Sequence, residues 1–194
     1  MSQYHIQEPC VFPDFSLIFH GRPDGLFLIE KARVLRHTDL MEIRNAQVKD
    51  VNQIHALISD SAEHDRMLFR SKADLYENLQ TFLVAEEAGE VVGCCALELV
   101  WADLAEIKSL AVDARFRGKE IGRQMVQGAV DRGRVLGVPR VFALTLEPGF
   151  FDRLGFQTVA KETLPMKVWR DCARCPKQQR CDEIAMLKTV QTPS

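Results

Sequence analysis

Between residues 104 and 137 the chain sets an apolar strand, a basic glycine-bearing turn and a long amphipathic helix in direct succession. The strand ends in Leu110-Ala111-Val112, and the turn runs through Asp113-Ala114-Arg115-Phe116-Arg117-Gly118-Lys119-Glu120-Ile121-Gly122. The spacing predicts a helix over 118–137 with Ile121, Met125, Ala129, Val130 and Val135 on its inner side. Such a unit buries a strand and one stripe of a helix together, which points to a layered α/β domain. The first amides of a helix lack intrahelical partners and lie at the positive end of its dipole, so this turn suits phosphate oxygens. Glycine lets the backbone approach an anion closely, and Arg117 and Lys119 add charge. A plain strand-to-helix turn with solvated basic residues has the same composition, so the turn alone does not decide.

The rest of the chain repeats the strand and helix patterns. Glu42-Ile43-Arg44-Asn45-Ala46 reads as a strand, and Asp50 as the N-cap of a helix bearing Val51, Ile54, Leu57 and Ile58. Ser71, with Asp74 three residues on, opens a second helix with Leu75, Leu79 and Phe82 on its apolar face. Residues 82–86 and 91–99 read as antiparallel strands turning at Glu87-Ala88-Gly89-Glu90. Strands at 104–112, 140–146 and 156–162 follow, with a short helix at 149–154. The predicted order is β-α-α-β-β-β-α-β-α-β. Residues 1–40 stand apart. Apolar runs at 15–19 and 26–29 flank a Gly/Pro/Asp turn, which fits a β-hairpin or sequence upstream of a start at Met41. A homodimer is compatible with such a hairpin.

Composition removes whole classes. At 194 residues the chain holds one full domain with short extensions, and 46% hydrophobic with 27% charged residues excludes a predominantly disordered chain. A net charge of -2 argues against general nucleic-acid binding. The apolar runs are too short for a membrane helix and no secretory pattern opens the chain, so a cytoplasmic protein is expected. Its six cysteines are then expected as thiols or metal ligands.

Arg117-Gly118-Lys119-Glu120-Ile121-Gly122 resembles the acetyl-CoA-binding motif of the GNAT acetyltransferases, (Gln/Arg)-x-x-Gly-x-(Gly/Ala). Glu120 stands where the family keeps its central glycine, and its carboxylate must point away from a bound pyrophosphate. The segments Glu42-Ile43-Arg44-Asn45-Ala46, Leu68-Phe69-Arg70-Ser71, Gly93-Cys94-Cys95-Ala96-Leu97, Ala105-Glu106-Ile107-Lys108-Ser109-Leu110-Ala111-Val112, Phe142-Ala143-Leu144-Thr145 and Phe151-Asp152-Arg153-Leu154-Gly155-Phe156 are similar, in order and spacing, to the acetyltransferase domain of N-acetylglutamate synthases. The resemblance implies a GNAT fold over residues 41–165, a mixed and mostly antiparallel sheet flanked by helices. Residues 1–40 would be an extension and 166–194 a basic, Cys-rich tail. The chain is too short to add the arginine-binding amino-acid-kinase domain of the long synthases, so it resembles the short stand-alone forms.

What the resemblance implies for chemistry is direct transfer of acetyl from acetyl-CoA to the α-amino group of an amino acid, glutamate first among them, in arginine biosynthesis. Backbone groups of Leu110, Ala111 and Val112 would hold the pantetheine and acetyl oxygen. The turn from Arg117 through Gly118, Lys119, Glu120 and Ile121 to Gly122 would hold the pyrophosphate. Phe151 would pack against the cofactor arm. Glu106 is the expected general base and Thr145 the hydroxyl that protonates the departing thiolate. Arg44, Arg70 and Lys108 would meet the carboxylates of the substrate. Acceptance of another small amine or a protein amine, and a non-catalytic acyl-CoA or redox sensor, are the competing readings.

Cys172-x-x-Cys175-x5-Cys181 begins like a metal site, but tetrahedral zinc wants four ligands and no fourth stands at a persuasive spacing. Metal binding, one labile disulfide and buried thiols stay open for these three residues. Cys94-Cys95 sits in an apolar strand and reads as core.

Overall fold

The computed structural model describes residues 41–165 and 181–190. The hairpin expected within residues 1–40, and Cys10, Cys172 and Cys175, lie outside the described residues. The elements are β1 (Glu42–Asn45), α1 (Val51–Glu63), α2 (Lys72–Glu77), β2 (Phe82–Glu87), β3 (Glu90–Trp101), β4 (Leu104–Val112), α3 (Ile121–Val135), β5 (Arg140–Thr145), α4 (Pro148–Asp152), β6 (Gln157–Val159) and β7 (Ile184–Thr189). They build a seven-stranded sheet in the order β1-β2-β3-β4-β5-β7-β6. Among the described strands only β4 and β5 run parallel; every other pair is antiparallel.

Each face of the sheet is covered by helices. Val84, Cys94 and Ala111 lie in line across β2, β3 and β4 and pack with Val51, Ile54, Ile58 and Leu75 of α1 and α2. Leu83, Ala85, Cys95 and Ile107 pack on the other side with Ile121, Met125, Val126, Ala129 and Val130 of α3. Strand β3 is buried on both faces, so neighbouring Cys94 and Cys95 are both fully buried. Burial pushes the Cys94 thiol up to about 12 and raises that of Cys95 as well, so both are neutral packing groups at physiological pH.

Local signals explain most boundaries. Ser71 Oγ accepts the Asp74 amide at 3.1 Å and caps α2, as its sequence predicts. At the β2–β3 turn Ala88 (φ +52°) and Gly89 (φ +85°) both take left-handed conformations, the requirement of a tight two-residue hairpin with the right-handed twist.

Four expectations change. The second helix ends at Glu77, so Leu79 lies in the 3-10 turn Leu79–Thr81 and Phe82 opens β2 instead of sharing a helix face with Leu75. Asp50 does not cap α1; its backbone is helical and its side chain is turned inward. Val135 is 85% exposed rather than on the inner side of α3, and Gly133 takes the contact with β5 instead. A Cβ at Gly133 would stand 3.2 Å from the Val141 side chain, a tight contact that glycine avoids where the helix approaches β5. Finally, β7 was not expected. It inserts between β5 and β6, with Ala185 and Met186 1% exposed, so the sheet draws on the chain beyond residue 165.

Candidate active site

The sheet opens in its middle. β4 and β5 pair only through Ala105↔Val141 and Glu106↔Phe142, at the start of both strands. A bulge explains the divergence. Cys94 faces Ala111 and Ala96 faces Lys108, so Ser109 and Leu110 together oppose Cys95. Ser109 sits at φ +52° in that bulge, bending β4 away from its parallel neighbour. Beyond the bulge, the Asp113 amide bonds to the Val92 carbonyl on β3 at 2.9 Å. By the alternation of a strand, the backbone groups of Val112 point the other way, into the gap toward β5, and Leu110 lies two residues earlier at the bulge. The Ala111 side chain is buried beneath α1.

The basic turn closes one end of this gap. The Asp113 carboxylate accepts the Arg115 amide at 2.8 Å and starts the 3-10 turn Ala114–Phe116. Gly118 (φ +79°) and Glu120 (φ +64°) then both adopt left-handed backbone, which turns the chain into α3. The first intrahelical bond is Gln124 N–H to the Glu120 carbonyl, so the amides of Ile121, Gly122 and Arg123 precede it. Arg117, Gly118 and Lys119 are exposed. The Glu120 side chain is exposed and leans toward Arg123, with Oε2 3.1 Å from the guanidinium. These residues suit a pyrophosphate: a helix N-terminus of amides, open space above Gly118, and a carboxylate engaged by its own arginine.

Phe151 does not line the gap. It is 4% exposed and locked in the core, edge-on to Phe150 and Phe156. Its neighbour Phe150 is half-buried and lies against α3; a Cβ on Gly122 would stand 3.5 Å from the Phe150 ring and 3.8 Å from Val112. The aromatic beside the turn is therefore Phe150. Sequence could assign two adjacent phenylalanines to one short helix but not their facing.

Glu106 stands at the point where β4 and β5 part, only 6% exposed. It lies directly across from Glu98 on β3. Two carboxylates facing each other across a ladder repel, and Lys108 is placed between them. Its Nζ is 3.1 Å from Glu98 Oε2 and 3.5 Å from Glu106 Oε2. Glu98 joins this candidate cluster without any local mark in the sequence; only the β3–β4 register brings it opposite Glu106.

The three expected cations do not converge as a set. Arg44 donates five hydrogen bonds, to Glu86, Asp50 and the Asn45 carbonyl, which accounts for every N–H of its guanidinium. Arg44 thus pins the edge strand β1 to the start of α1 and is not available to a ligand. Arg70 is different. Its Nε is held by Asp74 at 3.0 Å and its guanidinium lies over the Phe82 ring at 5.7 Å, close enough to Cys94 to act on that thiol. Cys94 in turn lies 3.7 Å from the Ser109 carbonyl in the bulge. Thr145 ends β5, its Oγ1 accepting the Glu147 amide at 2.9 Å, which leaves the hydroxyl proton to donate. Among the described residues no group of three or more His, Cys, Asp or Glu side chains is placed to hold a metal ion, and no helix is long and apolar enough to cross a membrane.

The model of the acetyltransferase (GNAT) family matches residues 46–156. This chain belongs to the GNAT acetyltransferase family. An uncharacterized N-acetyltransferase of Chlorobaculum tepidum is 45% identical over 148 residues, 76% of this chain and 96% of its own. An amino-acid acetyltransferase of Mycobacterium tuberculosis is 37% identical over 135 residues, 68% of this chain and 77% of its own. The crystal structure of N-acetylglutamate synthase from Neisseria gonorrhoeae, complexed with coenzyme A and N-acetyl-glutamate, superposes with a TM-score of 0.72 at 28% identity. That match covers 78% of this chain and 35% of the synthase, so the chain spans about a third of the synthase's length. As a GNAT member the chain is an acyltransferase, and acetyl-CoA is its cosubstrate.

Proposed function

We propose that this GNAT enzyme acetylates the α-amino group of an amino acid, L-glutamate in the first place, and so serves the opening step of arginine biosynthesis in the cytoplasm. The observation that carries the reading is Glu106. It is a buried carboxylate where β4 and β5 part, on the strand whose backbone would hold the thioester. The relatives named amino-acid acetyltransferase and N-acetylglutamate synthase support the class of acceptor.

The chemistry needs a neutral amine, a polarised carbonyl and a proton for the leaving sulfur. Glu106 takes a proton from the substrate ammonium. The amine nitrogen then bonds to the acetyl carbon as the carbon–sulfur bond breaks. Amides at Leu110 and Val112 polarise the carbonyl oxygen. Thr145 passes its hydroxyl proton to the thiolate and is reprotonated by the second proton that the acylated nitrogen sheds, so the products are the amide and a neutral thiol. Arg70, braced by Asp74, receives a substrate carboxylate. Lys108 keeps Glu106 and Glu98 in register.

A CoA-release assay with acetyl-CoA and a panel of glutamate, glutamine, aspartate, lysine and a peptide pool tests this reading. Turnover is expected with glutamate. Arg70→Ala is expected to raise the glutamate KM about tenfold or more, the loss of one charge-assisted hydrogen-bonded pair of roughly 1.5–3 kcal/mol. Turnover confined to the peptide pool, or a glutamate KM untouched by Arg70→Ala, would overturn it.

A further inference from the structure

We propose that Cys181 and Lys161 are an oxidant-sensitive pair that closes into a covalent sulfur–nitrogen cross-link. β6 and β7 are antiparallel neighbours, with Val159 opposite Ala185, so the chain leaving β6 is brought beside the chain entering β7. Lys161 opens the 3-10 turn Lys161–Thr163 just after β6, and Cys181 precedes β7 and is exposed. Lys161 Nζ donates to Cys181 Sγ at 3.3 Å although the two are 20 residues apart. On the other side of the sulfur, the thiol donates to Glu183 Oε2 at 3.8 Å. One exposed sulfur therefore touches an amine that can attack it and a carboxylate that can take its proton. None of the three belongs to the machinery proposed for acetyl transfer.

The chemistry balances with a peroxide as oxidant. The Cys181 sulfur attacks one peroxide oxygen, the O–O bond breaks, and the thiol proton passes by way of Glu183 to the departing hydroxide, giving a sulfenic acid and water. Lys161, its ammonium proton given up to Glu183, attacks the sulfenyl sulfur. The S–N bond forms, the S–O bond breaks and a second water leaves. One peroxide is reduced to two waters, and the protein loses two hydrogens. The bond joins the two ends of residues 162–180 and ties β7 covalently to the turn after β6.

The test is peptide mapping of the full chain after treatment with hydrogen peroxide, with and without later dithiothreitol. The expected product is a joined peptide pair containing Lys161 and Cys181, two hydrogens lighter than its parts, resistant to trypsin at Lys161 and restored by dithiothreitol. It should vanish in Lys161→Met, persist in a Cys172→Ser/Cys175→Ser double variant, and leave CoA release by reduced Lys161→Met unchanged. A disulfide from Cys181 to Cys172 or Cys175, or a sulfinic acid at Cys181 with trypsin cutting normally after Lys161, would overturn the proposal whether or not the acetyl acceptor proves to be glutamate.

Discussion

Glu120 shows how one side chain sets opposing terms in the phosphate turn. Its left-handed backbone costs about 1 kcal/mol relative to glycine. Against that, a carboxylate at the N-terminus of α3 interacts favourably with the helix dipole by roughly 0.3–1 kcal/mol. The terms nearly cancel, so Glu120→Gly should leave the melting temperature within about 2 °C of the parent. Binding is another matter, because the carboxylate sits beside the turn proposed to hold a pyrophosphate. The same substitution should lower the KM for acetyl-CoA about two- to fivefold, and an unchanged or higher KM would show that Glu120 does not oppose the cofactor. At this scale the left-handed Gly118 and the exposed Arg117 and Lys119 of the basic turn were legible in the sequence, since glycine and charge beside a strand end are local signals, whereas the burial of Glu106 was not. Nor was Arg44. Its partners Asp50 and Glu86 stand 6 and 42 residues away, and only the folded sheet reveals that they occupy its entire guanidinium.

The Arg44–Asp50–Glu86 network decides how firmly β1 and α1 are joined. Asp50 is 1% exposed, and the Arg44 guanidinium with the Gln47 amide holds its carboxyl below the ordinary carboxylate range. A carboxyl depressed in the folded state adds stability above its unfolded value, near about pH 4. That contribution is lost as pH falls through the folded-state pKa. Arg44→Met leaves a buried carboxylate without its cation and should cost about 3–5 kcal/mol at pH 7. Urea midpoints at pH 7 and pH 3 check this: the variant should fall well below the parent at pH 7, and the gap should narrow in acid. The glutamate KM of the folded fraction should stay unchanged; a large rise would restore Arg44 to the substrate site. The first six strands and the main helices were readable because alternation and helical spacing are strong over such lengths. β7 was not, since Ile184-Ala185-Met186-Leu187-Lys188-Thr189 is short, follows a basic cysteine-bearing stretch, and earns its place only by filling the space between β5 and β6. The Ser109 bulge also escaped notice, because nothing in Lys108-Ser109-Leu110 marks a positive φ.

Taken whole, the domain is a sheet interrupted at its one parallel junction. Helices on both faces hold the two halves, while the bulge leaves the Val112 backbone facing a gap. The amide-rich turn stands at one end of that gap and Glu106 at the point where the strands part. In the proposed reaction, Glu106 removes the proton from an amine delivered there. The most direct test is steady-state kinetics of Glu106→Gln against the parent, with acetyl-CoA and glutamate both varied. A folded variant whose kcat falls about 10²–10⁴-fold, with the KM for acetyl-CoA within twofold, is the predicted result. A kcat close to that of the parent would contradict it and place the base elsewhere.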